Sequence, residues 1–163
     1  MSCAQAAVRE PPADPVLTLR SRPRRIALVG NANVGKSVLF GRLTGQYAVV
    51  SNYPGTTVAM TRGRVVLNGE VCEITDTPGI TALEGVLTED ELVARRMLDR
   101  GEADVVVQVA DARNLRRGLM LTSQLAATGR PMVLALNMAD EARVHGTVID
   151  AAGLSARLGI PVV

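Results

Sequence analysis

The chain has 163 residues, 47% hydrophobic, a formal net charge of +2 and only 2% aromatics. That size allows one buried core and one domain, the small charge gives no reason to invoke nucleic acid, and the scarcity of aromatics leaves no stacking platform for single strands. No apolar run approaches the ~20 residues that span a bilayer. One histidine and two distant cysteines, Cys3 and Cys72, cannot build a metal site of their own, and the cysteines read as free thiols in a reducing cytoplasm.

In chain order, residues 1–23 are rich in proline and read as a flexible tail, with Arg20–Arg25 a solvated basic flank. RIALV (25–29) is a buried strand, and a helix follows from Lys36 to Leu43. Residues beyond it, through 60, are expected to be irregular. RGRVVLN and EVCEITD flank an Asn68-Gly69 step, the signal of a hairpin between antiparallel strands. Thr88 and Glu91 form a capping box for a helix that Gly101 ends, with Glu89, Asp90 and Glu91 a solvated first turn. DVVVQVAD is a strand, and Asp111 is placed to cap the next helix. NLRRGLMLTSQLAATG is that helix, PMVLALN a strand, and His145 belongs to a polar surface loop. DAAGLSARLG is a last helical segment, and IPVV a strand beginning. Strands alternating with helices imply an α/β fold with a mostly parallel sheet, helices on both faces and one antiparallel hairpin strand. Ligand chemistry then belongs at the carboxyl ends of the strands.

Four motifs fall there. GNANVGKS (30–37) fits G-x-x-x-x-G-K-S/T between a strand and a helix. Gly30 and Gly35 let the backbone wrap a polyphosphate at a helix N-terminus. Lys36 is the only lysine in the chain, against seventeen arginines. A compact ammonium on a flexible stem reaches the outer phosphates where a planar guanidinium does not fit. The candidate nucleotide contacts here are Gly30, Asn31, Ala32, Asn33, Val34, Gly35, Lys36, Ser37 and Val38, with the Ser37 hydroxyl a ligand for Mg²⁺. DTPG (76–79) puts Asp76 where it can hold Mg²⁺ through water and offers the Gly79 amide to a terminal phosphate. NMAD (137–140) places Asn137, Met138 and Asp140 as a guanine-reading set. A carboxylate accepts from the N–H groups of guanine and is left unpaired by adenine. In SNYPGTTV (51–58), Thr57 is the candidate for Mg²⁺ and the γ-phosphate, with adjacent Thr56 the alternative.

These motifs in this order resemble a P-loop NTPase G domain of the translation-factor-related class. More narrowly, GNANVGKS, NYPGTTV, DTPG, VADARNLRRGLMLTSQL, LALNMADEA and LSARLGIPVV resemble the cytoplasmic N-terminal GTPase domain of the FeoB ferrous-iron transporters, over about residues 24–163. The resemblance implies binding of GTP and GDP with Mg²⁺, and slow GTP hydrolysis with Asn33, Lys36, Thr57 and Gly79 as catalytic residues. It also implies K⁺ bound beside the phosphates through Asn33. A membrane-embedded iron-permease region is the implied partner, in the same gene or a separate chain, at the inner face of the bacterial membrane. A homo-oligomer is allowed and nucleic acid is not expected. In the family a further loop and helix come after the last strand, so the domain is expected to be truncated at its C-terminal end. Ile80 stands where many GTPases carry a water-orienting glutamine. Two other functions remain open: a guanine-nucleotide-binding module with negligible turnover, and a ribosome- or tRNA-associated small GTPase.

Overall fold

A computed structural model describes residues 22–45 and 48–163. Cys3 and all of the tail except its last two residues lie outside the described residues. Among those described, six strands form one sheet: β1 (Arg24–Val29), β2 (Ala48–Asn52), β3 (Ala59–Leu67), β4 (Glu70–Asp76), β5 (Val105–Asp111) and β6 (Met132–Asn137), in the order β2-β3-β4-β1-β5-β6. β4, β1, β5 and β6 run parallel, while β3 is antiparallel to both of its neighbours, β4 and β2. The helices are α1 (Lys36–Thr44), α2 (Glu89–Asp99), α3 (Leu115–Ala126), α4 (Ala139–Val144) and α5 (Ala151–Leu158). This is the mixed α/β sheet with one antiparallel hairpin that the sequence pattern implies. Val162 makes an isolated parallel bridge to Leu134, which sets IPVV beside β6 without forming a seventh strand among the described residues.

The period-two alternation of β1 assigns its two faces. Ile26 and Leu28 point toward α1 and pack with Phe40, Cys72 and Ile74. Ala27 and Val29 point the other way, into a larger cluster with Val93, Met97 and Leu98 of α2 and Leu121 and Leu125 of α3. A parallel central strand is buried on both faces, so its sequence reads as an unbroken apolar run. α2 starts on the complete Thr88–Glu91 capping box. It ends in a Schellman motif, with Gly101 at φ 69° and Glu102 N donating to Met97 O. Asn68 and Gly69 both have positive φ, as the tight β3–β4 turn requires.

Several expectations are corrected. Residues 48–52 are not irregular: AVVSN is an edge strand paired with β3 from Ala48↔Gly63 to Asn52↔Ala59. Every one of its residues is exposed, so no alternation of apolar and polar positions marks it. The segment after NMAD is the short helix α4, although His145 at its end is exposed as expected. Arg25 is not a solvated flank. Its half-buried guanidinium and its backbone N–H both donate to Asp104. The Asp104 carboxyl is held down at about 2, chiefly by the Arg25 side chain. Glu91 is 5% exposed rather than solvated.

Candidate functional site

The order of β4, β1 and β5 creates the crevice. Chains leaving the carboxyl ends of β1 and β4 diverge there, and the phosphate loop (30–35) and the D-T-P-G loop form its facing walls. The result is a cleft of about 550 Å³ lined by Asn33, Lys36, Ser37, Thr57, Asp76 and Gly79, among others. All four residues expected to act in catalysis therefore face one space.

Lys36 is buried, and its Nζ donates to Gly30 O at 3.2 Å and Asn31 O at 3.0 Å. An ammonium has three donors, so this cradle uses the loop's own carbonyls for two of them. Burial lowers the Lys36 pKa, and nearby Asp76 opposes that shift. Ser37 Oγ donates to Asp76 Oδ2 at 2.6 Å, while Asp76 Oδ1 is buried with no hydrogen-bond partner among the described residues. A buried carboxylate oxygen without a donor is costly. That orphaned oxygen, with a hydroxyl beside it, is a donor set that fits a hard divalent cation.

Thr56 and Thr57 differ in their surroundings. Thr56 Oγ1 donates to Tyr53 O and accepts from Val58 N, so its side chain is committed to its own turn. Thr57 faces the cleft, where its hydroxyl reaches Glu89 Oε2 at 3.3 Å. Tyr53 anchors this segment in the larger core cluster and donates its hydroxyl to Glu102.

The glycines show how closely the walls approach. A Cβ at Gly79 would lie 2.7 Å from Ala32 Cα, and one at Gly30 would lie 2.2 Å from Val109 O. Gly35 combines φ 89° with a virtual Cβ 2.2 Å from Asn137 Nδ2. That contact arises because Asn137 Nδ2 donates to Val34 O at 2.9 Å, bracing the phosphate loop from β6. Sequence spacing gave Asn137 a role only in N-x-x-D. Met138 has positive φ and precedes α4, and Asp140 is exposed in that helix's first turn. Val34 is buried beneath the loop. Val38 is 60% exposed and lines a second depression of about 230 Å³ with Asn137, not the main cleft. Asn31 is buried and does not line the cleft either. Ile80 is 1% exposed within the larger cluster, so its side chain is remote from any water in the cleft.

A phosphate loop on β1, D-T-P-G on β4 and N-x-x-D on β6 of this mixed sheet define the G domain of a P-loop GTPase. The family model described as Ferrous iron transport protein B matches residues 24–163. The chain is 42% identical over 144 residues to the Fe(2+) transporter FeoB of Synechocystis sp., covering 86% of this chain and 23% of that protein. For the Legionella pneumophila (strain Paris) transporter the values are 41% over 140 residues, 83% and 18%. Among solved structures, the T. maritima FeoB G domain superposes with a TM-score of 0.80 at 38% identity, covering 87% of this chain and 86% of that one. A GDP-bound S. thermophilus NFeoB mutant gives 0.80 at 43%, covering 86% and 54%. The chain belongs to the FeoB family of ferrous-iron transport proteins and corresponds to their G domain. It spans about a fifth of the length of the curated relatives it matches.

Proposed function

We propose that residues 24–163 form one G domain that binds GTP and GDP with Mg²⁺, hydrolyses GTP slowly, and serves as the nucleotide switch of a ferrous-iron uptake system at the inner face of the membrane. The observation that carries this reading is the buried Lys36 ammonium facing one cleft with Ser37, Asp76, Thr57 and Gly79. GDP bound to a relative at 43% identity supports it. In this reading the backbone amides of residues 31–38 and the Lys36 ammonium offset the polyphosphate charge. Ser37, Asp76 and Thr57 are the residues that would hold Mg²⁺. That ion would supply positive charge against the outer phosphates. The Gly79 N–H donates to a γ-phosphate oxygen. Asp140 accepts from the guanine N–H groups, Met138 packs its apolar stem along the nucleoside, and Asn33, at the rim of the cleft, offers its side-chain oxygen to K⁺. Attack of water on the γ-phosphorus breaks its bond to the bridging oxygen, giving GDP and phosphate. Ile80 cannot orient that water, so backbone groups, the monovalent ion or a partner must do so.

Ile80 also favours the second reading, a module that holds nucleotide with negligible turnover. Phosphate release measured with and without K⁺, beside nucleotide affinity, separates the two. K⁺-stimulated release that an Asn33→Ala variant loses supports the enzyme. Tight binding without release supports the module. The membrane-embedded iron-permease region is the proposed partner.

A further inference from the structure

We propose that Asn31 is a positioning residue. Its buried amide clamps the D-T-P-G loop to the phosphate loop and so sets where the Gly79 N–H stands relative to a terminal phosphate. This rests on the reading of the cleft as a guanine-nucleotide site. Asn31 is 4% exposed, and its Nδ2 donates to the carbonyl of Ile80 at 2.9 Å. A carbonyl only accepts, so the nitrogen of the amide must face it. In the opposite direction, Ile80 N donates to Gly30 O at 3.0 Å. Two reciprocal bonds thus join residues 30–31 to residue 80, as two rungs of a ladder.

Each end of this clamp is itself fixed. The Asn31 carbonyl accepts from Lys36 Nζ at 3.0 Å. The Ile80 side chain is held in the core. Gly79 lies between the clamp and the ligand space, packed against Ala32 so closely that a Cβ would collide with it. Gly79 therefore cannot shift without breaking the clamp or carrying the phosphate loop along. Water does not compete at a buried bond, and losing its donor leaves the Ile80 carbonyl unpaired. The side chain does this without lining the cleft, so its contribution is to geometry and not to contact with the nucleotide.

The distinguishing readout is the difference between di- and triphosphate, because only the γ-phosphate meets the Gly79 amide. Affinities for fluorescent GDP and for a non-hydrolysable GTP analogue are measured on wild type, Asn31→Ala and the similar-sized Asn31→Leu, which lacks the donor and adds no charge. The expected result is GDP affinity within about threefold of wild type and analogue affinity lower by about tenfold, the loss of one well-placed hydrogen bond. Phosphate release at saturating GTP falls in step with analogue affinity. Equal retention of both nucleotides, or a parallel loss of both, overturns the clamp and leaves Asn31 a structural residue. A wild-type chain that holds neither nucleotide overturns the site itself and the clamp with it. If neither variant folds, amide exchange of wild-type Ile80 decides. Slower exchange with the analogue than with GDP supports the clamp, and equal exchange refutes it.

Discussion

Glu91 gives the sharpest test of how the wall beyond Gly79 is held. Its carboxylate accepts five hydrogen bonds: Thr81 N at 2.9 Å, Thr81 Oγ1 at 2.6 Å, Ala82 N at 3.1 Å, Thr88 N at 3.0 Å and Thr88 Oγ1 at 3.1 Å. One side chain thus caps α2 and pins the loop that leaves D-T-P-G. In Glu91→Ala the two hydroxyls can turn to other partners, but the three amides lose their acceptor. At about 1 kcal/mol for each amide after partial rescue by water, the loss is ~3 kcal/mol. That is a large share of a domain stability of roughly 5–15 kcal/mol, and at this size it lowers Tm by about 10 °C. Glu91→Gln keeps one carbonyl acceptor and should lose about half as much. The folded carboxyl sits at about 2 against its ordinary 4.5, because the Thr81 hydroxyl and then the Thr88 amide favour the charged form. A depressed pKa means that this stabilisation is fully present above about pH 4.5 and is lost as pH falls toward about 2. Urea unfolding followed by far-UV circular dichroism, at neutral pH and at acid pH, measures both effects. An Ala variant within about 1 kcal/mol of wild type, or one with unchanged acid sensitivity, would refute the reasoning.

Other substitutions probe other walls of the cleft. Gly35→Ala meets both a positive φ and the Asn137 amide, so it should lose ~2 kcal/mol in urea unfolding and weaken labelled-GDP binding in the same samples. Ile80→Gln should not raise phosphate release, because the new side chain enters the core; it should instead destabilise by about 2–4 kcal/mol. Asp140→Asn replaces one of the two acceptor oxygens proposed for guanine with an N–H donor, and GDP affinity should fall by about 10–100-fold. Xanthosine diphosphate carries a carbonyl where guanine carries its amino group, and in competition it should bind the variant better than wild type.

What was legible in the sequence was local. GNANVGKS, the Asn68-Gly69 turn and the Thr88–Glu91 box depend on spacing within a few residues, and each lies where that spacing put it. The edge strand β2 carries no such mark, because neither of its faces is buried. The six-residue helix α4 begins on a positive-φ methionine, not on a recognisable N-cap side chain. The remaining differences are long-range. Asn31 with Ile80, Asn137 with Val34 and Arg25 with Asp104 pair residues far apart in the chain. Spacing could mark Asn137 and Asn31 as belonging to motifs, but only the folded sheet shows them joining one loop to another. Glu91 combines both: its cap was readable, whereas its grip on Thr81 and Ala82 was not.

The Lys36 ammonium is, in the proposed function, the charge that retains a guanine polyphosphate. Equilibrium titration of fluorescent GDP into Lys36→Met and Lys36→Arg tests this directly, with folding checked by circular dichroism. Both variants should lose affinity by at least about 100-fold, Met because the charge is gone and Arg because a planar fork does not fit between the Gly30 and Asn31 carbonyls. A folded Lys36→Met variant that binds GDP as tightly as wild type would contradict it.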